Sequence, residues 1–184
     1  MRLFVAVDMP EAVQERLGMI ACGLPGARWV PPGQLHLTLH FIGEVDGAMM
    51  RSIQDALSRI SSPALQLCLQ GVGVFPLRGK SPHTLWVGVE KSEALLALHR
   101  QIGSALLSAG CELEQRKYAP HLTLARLKNA PAKRLNEFIG LHMPLVLPAV
   151  PVQRFRLYSS VLGPKGAKHY MEQEYLLNYD DEQQ

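Results

Sequence analysis

One tetrapeptide, His-Leu-Thr-Leu, occurs twice in the chain, at residues 36–39 and again at residues 121–124. The chain has 7 histidines, so two identical histidine-containing tetrapeptides are a patterned feature rather than a chance match. Alternation of polar residues with leucine is typical of a β-strand, in which residues i and i+2 lie on the same face. Each motif is therefore predicted to present one imidazole and one hydroxyl to one side, while its leucines pack on the other.

The repetition extends to a segment that precedes each motif. Residues 3–8 and residues 85–90 share the order Leu, aromatic, Val, small, Val, acid. The offset between the copies is 82 residues here (90 − 8) and 85 residues at the motifs (121 − 36), which a three-residue insertion reconciles. Two copies of a strand–helix–loop–strand unit indicate a pseudo-twofold duplication. This symmetry would bring the two motif strands together, with both histidine–threonine faces lining one cleft.

The alternation of elements predicts an α+β fold, which is a bilobal, pseudo-twofold duplication with two mixed, mainly antiparallel sheets lining a central cleft and helices outside. Apolar patterning and turn residues predict strands at residues 2–8, 35–42, 64–75, 84–90, 117–127, 152–162 and 168–178. Capping residues predict helices at residues 10–22, 47–60, 92–109 and 131–139, a loop at 23–33 and a strand break at Gly43. Residues 1–184 are expected to form one domain of two intertwined lobes, with a frayed tail at 180–184.

Composition excludes several classes of protein. A net charge of +3 permits a phosphate-bearing ligand, but extended duplex binders usually carry stronger basic fields. Cys22, Cys68 and Cys111 are widely spaced and form no CxxC pair, so neither a disulfide framework nor a zinc cage is indicated. No signal peptide or membrane-spanning run is recognisable. A cytoplasmic monomer is therefore expected.

The matched motifs predict acid–base chemistry at a phosphate. Histidine can carry or release a proton near neutral pH, so His36 and His121 could act as a general acid and a general base on opposite sides of phosphorus. Thr38 and Thr123 could donate hydrogen bonds to the non-bridging oxygens, where negative charge builds up in the transition state. This chemistry needs no metal and no cofactor. The sequence does not fix which histidine is the acid.

Residues along the whole chain carry a resemblance to a known family. They are Arg2-Leu3-Phe4-Val5-Ala6-Val7, the two HLTL motifs, Phe41-Ile42-Gly43-Glu44, Gly73-Val74-Phe75-Pro76, Leu85-Trp86-Val87-Gly88, Ala125-Arg126 and Leu162-Gly163-Pro164. The chain resembles the two-histidine (2H) phosphoesterase superfamily, which is defined by two HxTx motifs in which x is hydrophobic. Within it, the chain is most similar to the RNA 2′,3′-cyclic phosphodiesterases, historically named 2′-5′ RNA ligases.

The resemblance implies a substrate and roles for residues. RNA ends with a 2′,3′-cyclic phosphate would be hydrolysed to 2′-phosphomonoesters, with His121 as the base and His36 as the acid that protonates the departing 3′ oxygen. The reverse step would join a cyclic phosphate to a 5′-hydroxyl as a 2′-5′ link. The resemblance also makes Arg126 a candidate phosphate ligand, although its parity in a regular strand points away from the cleft.

Other candidate residues have two readings each. His40 could face the cleft or solvent, whereas Phe41, on the leucine parity, is expected in the core. Tyr118 and Phe75 could stack on a base or simply pack. Basic residues in two loops could meet RNA phosphates or be solvated surface charges; they are Arg78, Lys80, Lys165 and Lys168. The remaining histidines lie outside any repeat and receive no role; they are His83, His99, His142 and His169.

Three alternative functions stay open at this level. A protein that binds RNA ends without catalysis would use the same pocket, and a turnover assay on a cyclic-phosphate dinucleotide would distinguish it. A phosphodiesterase could act instead on 2′-5′ linked oligonucleotides. A metal-dependent phosphodiesterase would need clustered carboxylate and histidine ligands, and unchanged activity in a chelator would exclude it.

Overall fold

The computed structural model describes residues 1–76, 81–114, 116–163 and 166–178. Ten strands have the bounds β1 Arg2–Asp8, β2 Ala27–Trp29, β3 His36–Glu44, β4 Leu65–Leu67, β5 Leu69–Phe75, β6 Thr84–Val89, β7 His121–Leu127, β8 Val150–Val152, β9 Arg154–Gly163 and β10 Gly166–Leu176. Four helices are α1 Glu11–Ile20, α2 Gly47–Ser58, α3 Glu93–Ser108 and α4 Ala132–His142, and a 3₁₀ turn covers Pro32–Gln34. The predicted α+β class is confirmed.

The strands form one large sheet and one small one within the described residues. The large sheet has the order β10-β9-β1-β3-β7-β6-β5, with β2 paired to β7, and the small sheet pairs β4 with β8. All of these strand pairs are antiparallel. Strands β3 and β7, which carry the two motifs, meet at the centre through the single Cα pair Leu37 and Leu122. The predicted duplication therefore corresponds to two halves of a sheet that join at the motif strands.

The core follows from the strand alternation that the motifs predicted. Leu37 and Leu122 are fully buried, and Leu39 and Leu124 are nearly so, because they face the helices. Helix α3 packs against β3 and α2. Its N-cap Ser92 accepts a hydrogen bond from the Leu95 amide (3.2 Å), as the sequence predicted. The opposite face of the sheet carries the polar residues of both motifs.

A β-bulge interrupts each motif strand at the same position. Ala6 pairs with Thr38 but Val5 pairs with His40, so Leu39 is an extra residue in β3. In β7 the extra residue is Leu124, because Trp86 pairs with Thr123 and Leu85 with Ala125. An extra residue reverses the facing of the side chains that follow it. The predictions made from strict alternation therefore fail beyond each motif.

Two predicted orientations are wrong for this reason. Phe41 was expected in the core, but it lies opposite Phe4 on the cleft face and is 63% exposed. Arg126 was expected to point away from the cleft, but the bulge at Leu124 returns it to the face of His121 and Thr123, and it is exposed. Phe41 and Arg126 occupy equivalent positions, each five residues beyond its motif histidine.

Three boundary predictions also need correction. The segment 23–33 contains β2, which pairs with β7 through Arg28 and Arg126, so it is not wholly a loop. Gly43 does not end β3, because it adopts a φ of 92° within the strand and still pairs with Leu3. Helix α4 continues to His142, beyond the predicted end at residue 139. The basic residues Arg78, Lys80 and Lys165 and the tail 180–184 lie outside the described residues.

Candidate functional site

The two motif histidines are held by the same hydrogen bond. His36 Nδ1 donates to the carbonyl oxygen of Gln34 (2.7 Å), and His121 Nδ1 donates to that of Ala119 (2.7 Å). A carbonyl oxygen only accepts, so Nδ1 carries the hydrogen in both rings and Nε2 is left for proton transfer. Each ring is therefore oriented by the backbone two residues before it. The sequence repeat is thus accompanied by the same hydrogen bond in both motifs.

Burial lowers the pKa of both histidines below its ordinary value. For His36, desolvation is the main cause, and it is opposed by the hydrogen bond to Gln34. The positive charge of His121 lowers the pKa of His36 further, so the two rings sense each other. For His121, desolvation again dominates over the hydrogen bond to Ala119. Both imidazoles are therefore poised toward the neutral form in the free protein.

The charges beside the two histidines have opposite signs. Asp8, which pairs with His36 across β1 and β3, raises the pKa of His36. Arg126 lowers the pKa of His121. Asp8 favours a protonated His36 and Arg126 a neutral His121. A protonated His169 would oppose Asp8, but burial lowers the pKa of His169 and so favours its neutral form. The pseudo-twofold site is therefore electrostatically asymmetric.

Both motif threonines lie on the face of the sheet that carries the histidines. Thr38 and Thr123 are half-buried between fully or nearly buried leucines. Among the described residues, neither hydroxyl makes a hydrogen bond to another protein group. Both hydroxyls are thus available to a ligand in the cleft.

Arg126 is held by two side chains at the start of β6, Thr84 in the strand and His83 directly before it. Its Nη1 donates to the hydroxyl of Thr84 (2.8 Å), which is only 3% exposed. Thr84 Oγ1 also lies 3.0 Å from His83 Nδ1. Since the hydroxyl accepts from Arg126, it can donate its own hydrogen to His83 Nδ1. No sequence pattern assigned a role to His83, because its link to Arg126 runs through the hydroxyl of Thr84 and depends on the pairing of β6 with β7.

Aromatic rings line the His36 side of the cleft. Phe4 lies 5.1 Å from the His36 ring between centroids, and Tyr158 stacks on Phe4 at 5.3 Å. His169 meets both Phe4 (4.9 Å) and His36 (5.3 Å) edge-on. Its positive charge would lower the pKa of His36. His169 had no role in the sequence, because only the pairing of β10 with β9 places it there.

Asp8 is anchored by residues of β9. Its Oδ2 accepts hydrogen bonds from Tyr158 Oη (2.7 Å) and from Arg156, which also pairs with Glu174. Burial, followed by the hydrogen bond to Asp8, raises the pKa of Tyr158 to about 12. Tyr158 therefore stays a hydrogen-bond donor at neutral pH. Among the described residues, Asp8 is the one carboxylate residue that lies opposite a motif histidine in the strand register, and this network fixes its side chain.

The His121 side of the cleft is built differently. Phe75 meets the His121 ring edge-on at 5.0 Å and packs against Trp86 at 5.2 Å. Trp86 lies directly over Gly73, where a Cβ atom would approach its ring to 2.4 Å. Phe75 therefore packs against a motif histidine, as the packing alternative predicted.

Lys168, the one basic loop candidate within the described residues, is exposed on β10.

His40 and Tyr118 lie away from the cleft face. The bulge at Leu39 turns His40 toward α3, where its ring stacks on His99. Tyr118 stacks on the other face of His99. His40 therefore faces neither the cleft nor solvent, the two orientations that were predicted. Tyr118 packs against the protein, which was one of its two predicted roles.

The described residues lack two further features. No group of three or more His, Cys, Asp or Glu residues is arranged to hold a metal ion there. No helix in the same part of the chain has the length and apolar character that a bilayer crossing requires. The residues that converge on the cleft are imidazoles, hydroxyls, aromatic rings and a guanidinium.

Comparison with known proteins finds the same architecture. Residues 9–163 match the 2′-5′ RNA ligase superfamily. An RNA 2′,3′-cyclic phosphodiesterase of Thermotoga maritima is 35% identical over 172 residues, which cover 90% of each chain. The crystal structure of TT0787 from Thermus thermophilus has a TM-score of 0.81 and 28% identity, with 96% of this chain and 97% of that chain covered. E. coli LigT complexed with 3′-AMP has a TM-score of 0.75 and 26% identity, with coverage of 96% and 97%.

Proposed function

The chain belongs to the 2′-5′ RNA ligase superfamily, and we propose that it hydrolyses RNA 2′,3′-cyclic phosphate ends to 2′-phosphomonoesters without a metal. The observation that carries this proposal is the matched pair of histidines, which share one hydrogen-bonding pattern and leave both Nε2 atoms for chemistry. The printed name of the Thermotoga maritima relative supports the same reaction. The 3′-AMP bound by E. coli LigT supports recognition of a nucleotide with phosphate on its ribose.

His121 acts as the base and His36 as the acid. His121 Nε2 removes a proton from water, whose oxygen attacks phosphorus while the bond to the ribose 3′ oxygen breaks. His36 Nε2 gives its proton to that oxygen, and the phosphate stays on the 2′ position. This assignment is supported by Asp8, which raises the pKa of His36, and by Arg126, which lowers the pKa of His121. His169 opposes Asp8 only when it is protonated, and burial lowers the pKa of His169.

Thr38, Thr123 and Arg126 bind the non-bridging oxygens. A hydroxyl or guanidinium aimed at these oxygens stabilises the charge that develops in the pentacoordinate transition state. The available threonine hydroxyls support this role, and so does the position of Arg126 beside His121. Phe41, which is exposed on the cleft face, and His169 offer an aromatic surface against which the ribose or base can pack, whereas Phe4 is buried beneath them.

A substrate panel in chelator tests the proposal. Purified protein is incubated with a 2′,3′-cyclic phosphate dinucleotide, a 2′-5′ linked oligonucleotide and a 3′,5′-cyclic nucleotide, each with excess EDTA. We expect turnover of the first substrate to a 2′-phosphate, and turnover slower by about 10²–10⁴-fold in folded His121→Ala. Ligand binding without turnover would favour an RNA-end binder, and activity that chelator abolishes would favour a metal enzyme.

Three further properties stay predictions. We propose that residues 1–184 work as one domain, which is supported by a core cluster that, in the described part of the chain, includes residues from both halves of the sheet. The cytoplasmic location and the monomeric state rest on the sequence.

A further inference from the structure

Three aromatic rings form a continuous stack behind the cleft. The ring of His99, on α3, lies between His40 at 4.0 Å and Tyr118 at 3.9 Å, with interplanar angles of 22° and 21°. The proposed reaction uses none of these residues. Their stack joins three separate parts of the chain, which are β3, α3 and the segment that leads into β7.

The outer ring of the stack reaches the motif strand of the other half. Tyr118 Oη donates a hydrogen bond to the backbone carbonyl oxygen of Thr38 (3.2 Å), 80 residues away in sequence. Tyr118 also directly precedes Ala119, whose carbonyl oxygen orients His121. One side chain thus connects the backbone that carries Thr38 with the backbone that holds the His121 ring.

This connection matters because the two motif strands share little else. Strands β3 and β7 pair directly only at Leu37 and Leu122. A single pair leaves the relative position of the strands to be fixed by contacts outside the ladder. The Tyr118 hydroxyl lies next to that seam, at the residue immediately after Leu37.

The stack is closely seated against α3. His40 Nε2 donates to the carbonyl oxygen of His99 (2.8 Å). Beneath the ring, a Cβ atom at Gly103 would come within 3.1 Å of His40 Cε1. A glycine inside a helix is less favourable than alanine, and here it leaves room for the imidazole. The stack therefore has a defined position rather than a loose contact.

Burial keeps the Tyr118 hydroxyl protonated, so that it can donate a hydrogen bond. It raises the pKa of the Tyr118 hydroxyl, which stays protonated at neutral pH. It also lowers the pKa of His99 to about 4, with smaller contributions from the charges of His40 and Arg100. The central ring is thus neutral under the conditions in which the histidines of the cleft act.

We propose that Tyr118 is a positioning residue, which sets the separation of the two catalytic half-sites by holding the Thr38 backbone against the segment that orients His121. The inference rests on the proposed function, because it assumes that both half-sites act on one phosphate. Misplacement of a reacting group by about 1 Å can cost on the order of 100-fold in rate. A shift of β3 relative to β7 would move His36 and Thr38 away from a phosphate bound to the other half.

The test compares two tyrosine-to-phenylalanine variants of the full chain. Tyr118→Phe removes only the hydroxyl and keeps the stacked ring. Tyr175→Phe is the matched control, because Tyr175 is 6% exposed and its hydroxyl has no hydrogen-bond partner among the described residues. With a 2′,3′-cyclic phosphate dinucleotide, we expect kcat of Tyr118→Phe to fall about tenfold with KM within about twofold. We expect Tyr175→Phe to keep both values.

A second measurement reads the positioning without turnover. In protein labelled at the histidine rings, NMR should show shifted His36 and His121 resonances in Tyr118→Phe and unshifted ones in Tyr175→Phe. If the wild type fails to turn over the substrate, the proposed function fails, while the NMR comparison still tests the link between the half-sites. Unshifted resonances in Tyr118→Phe would overturn the inference, as would wild-type kcat or an equal loss in the control.

Discussion

The tautomer and the orientation of each motif histidine are set by a backbone carbonyl two residues earlier. Because Gln34 and Ala119 accept from Nδ1, both rings present Nε2 without any carboxylate partner on Nδ1. Their charged neighbours differ, because Asp8 and His169 lie beside His36 whereas Arg126 lies beside His121. At this scale, two similar residues acquire different roles from the charge placed next to each.

The threonine hydroxyls give a direct test at the same scale. Thr38→Val and Thr123→Val keep the β-branched shape and delete the hydroxyl, so loss of a well-placed donor should lower kcat by about 10²–10³-fold. Thr→Ser at either position should retain much of the activity, because it restores the hydroxyl. Steady-state kinetics on the cyclic phosphate would measure both effects. Full activity in either valine variant would remove that threonine from the mechanism.

The pH profile follows from the lowered pKa values of the two histidines. Catalysis needs one protonated and one neutral imidazole, so kcat/KM should be bell-shaped. Because the pKa of each histidine lies below 6.5 in the free protein, the maximum of kcat/KM should also lie below pH 6.5. The kcat profile should be displaced to higher pH, since bound phosphate stabilises imidazolium. A rate that only rises with alkalinity would contradict this mechanism.

The bulges show how one extra residue changes what a strand presents. Regular alternation places His36, Thr38 and their counterparts correctly, because these residues precede the bulges. Beyond Leu39 and Leu124 the faces exchange, which brings Arg126 to the cleft and sends His40 to α3. The helix accommodates this imidazole with a glycine and a stacked ring, so strand and helix are matched at this contact.

The stacked imidazole of His99 should make stability depend on pH. The unfolded chain binds a proton at His99 near pH 6.5, whereas the folded chain resists it until about pH 4. The stabilisation from a neutral His99 is therefore complete above pH 6.5 and is lost as pH falls toward 4. His99→Phe keeps a flat ring but cannot titrate. We expect a similar Tm at pH 7.5 and a higher Tm than wild type at pH 4.5; parallel Tm curves would refute this explanation.

At the scale of the whole molecule, the proposed mechanism needs both halves of the duplication. His36→Ala and His121→Ala should each lower the rate by about 10²–10⁴-fold, because each removes one proton transfer. The double variant should lose far less than the product of the two, since the histidines act as a unit on one phosphate. A fully multiplicative loss would mean that the two half-sites work independently. Comparison of kcat/KM among the four proteins decides the question.

The repeat made the centre of the molecule predictable from sequence and left its surroundings unpredicted. Two copies of one motif were enough to place β3 beside β7 and the α+β class around them, because pseudo-symmetry limits how the copies can meet. Phe41 and Arg126 could not be placed, because a bulge depends on the pairing of neighbouring strands. His169 reaches the cleft through the β9–β10 hairpin, and no local pattern marks such a long-range approach.

The unequal residues at equivalent positions have a consequence for how a nucleotide enters. A perfectly symmetric cleft would accept an asymmetric diester in two orientations of equal energy, and one of them would be unproductive. Phe41 on one side and Arg126 on the other break this degeneracy, because an aromatic surface and a cation favour different ends of a nucleotide. With the roles proposed above, the difference between Phe41 and Arg126 would help a duplicated fold to distinguish the attacking side of a phosphate from the leaving side.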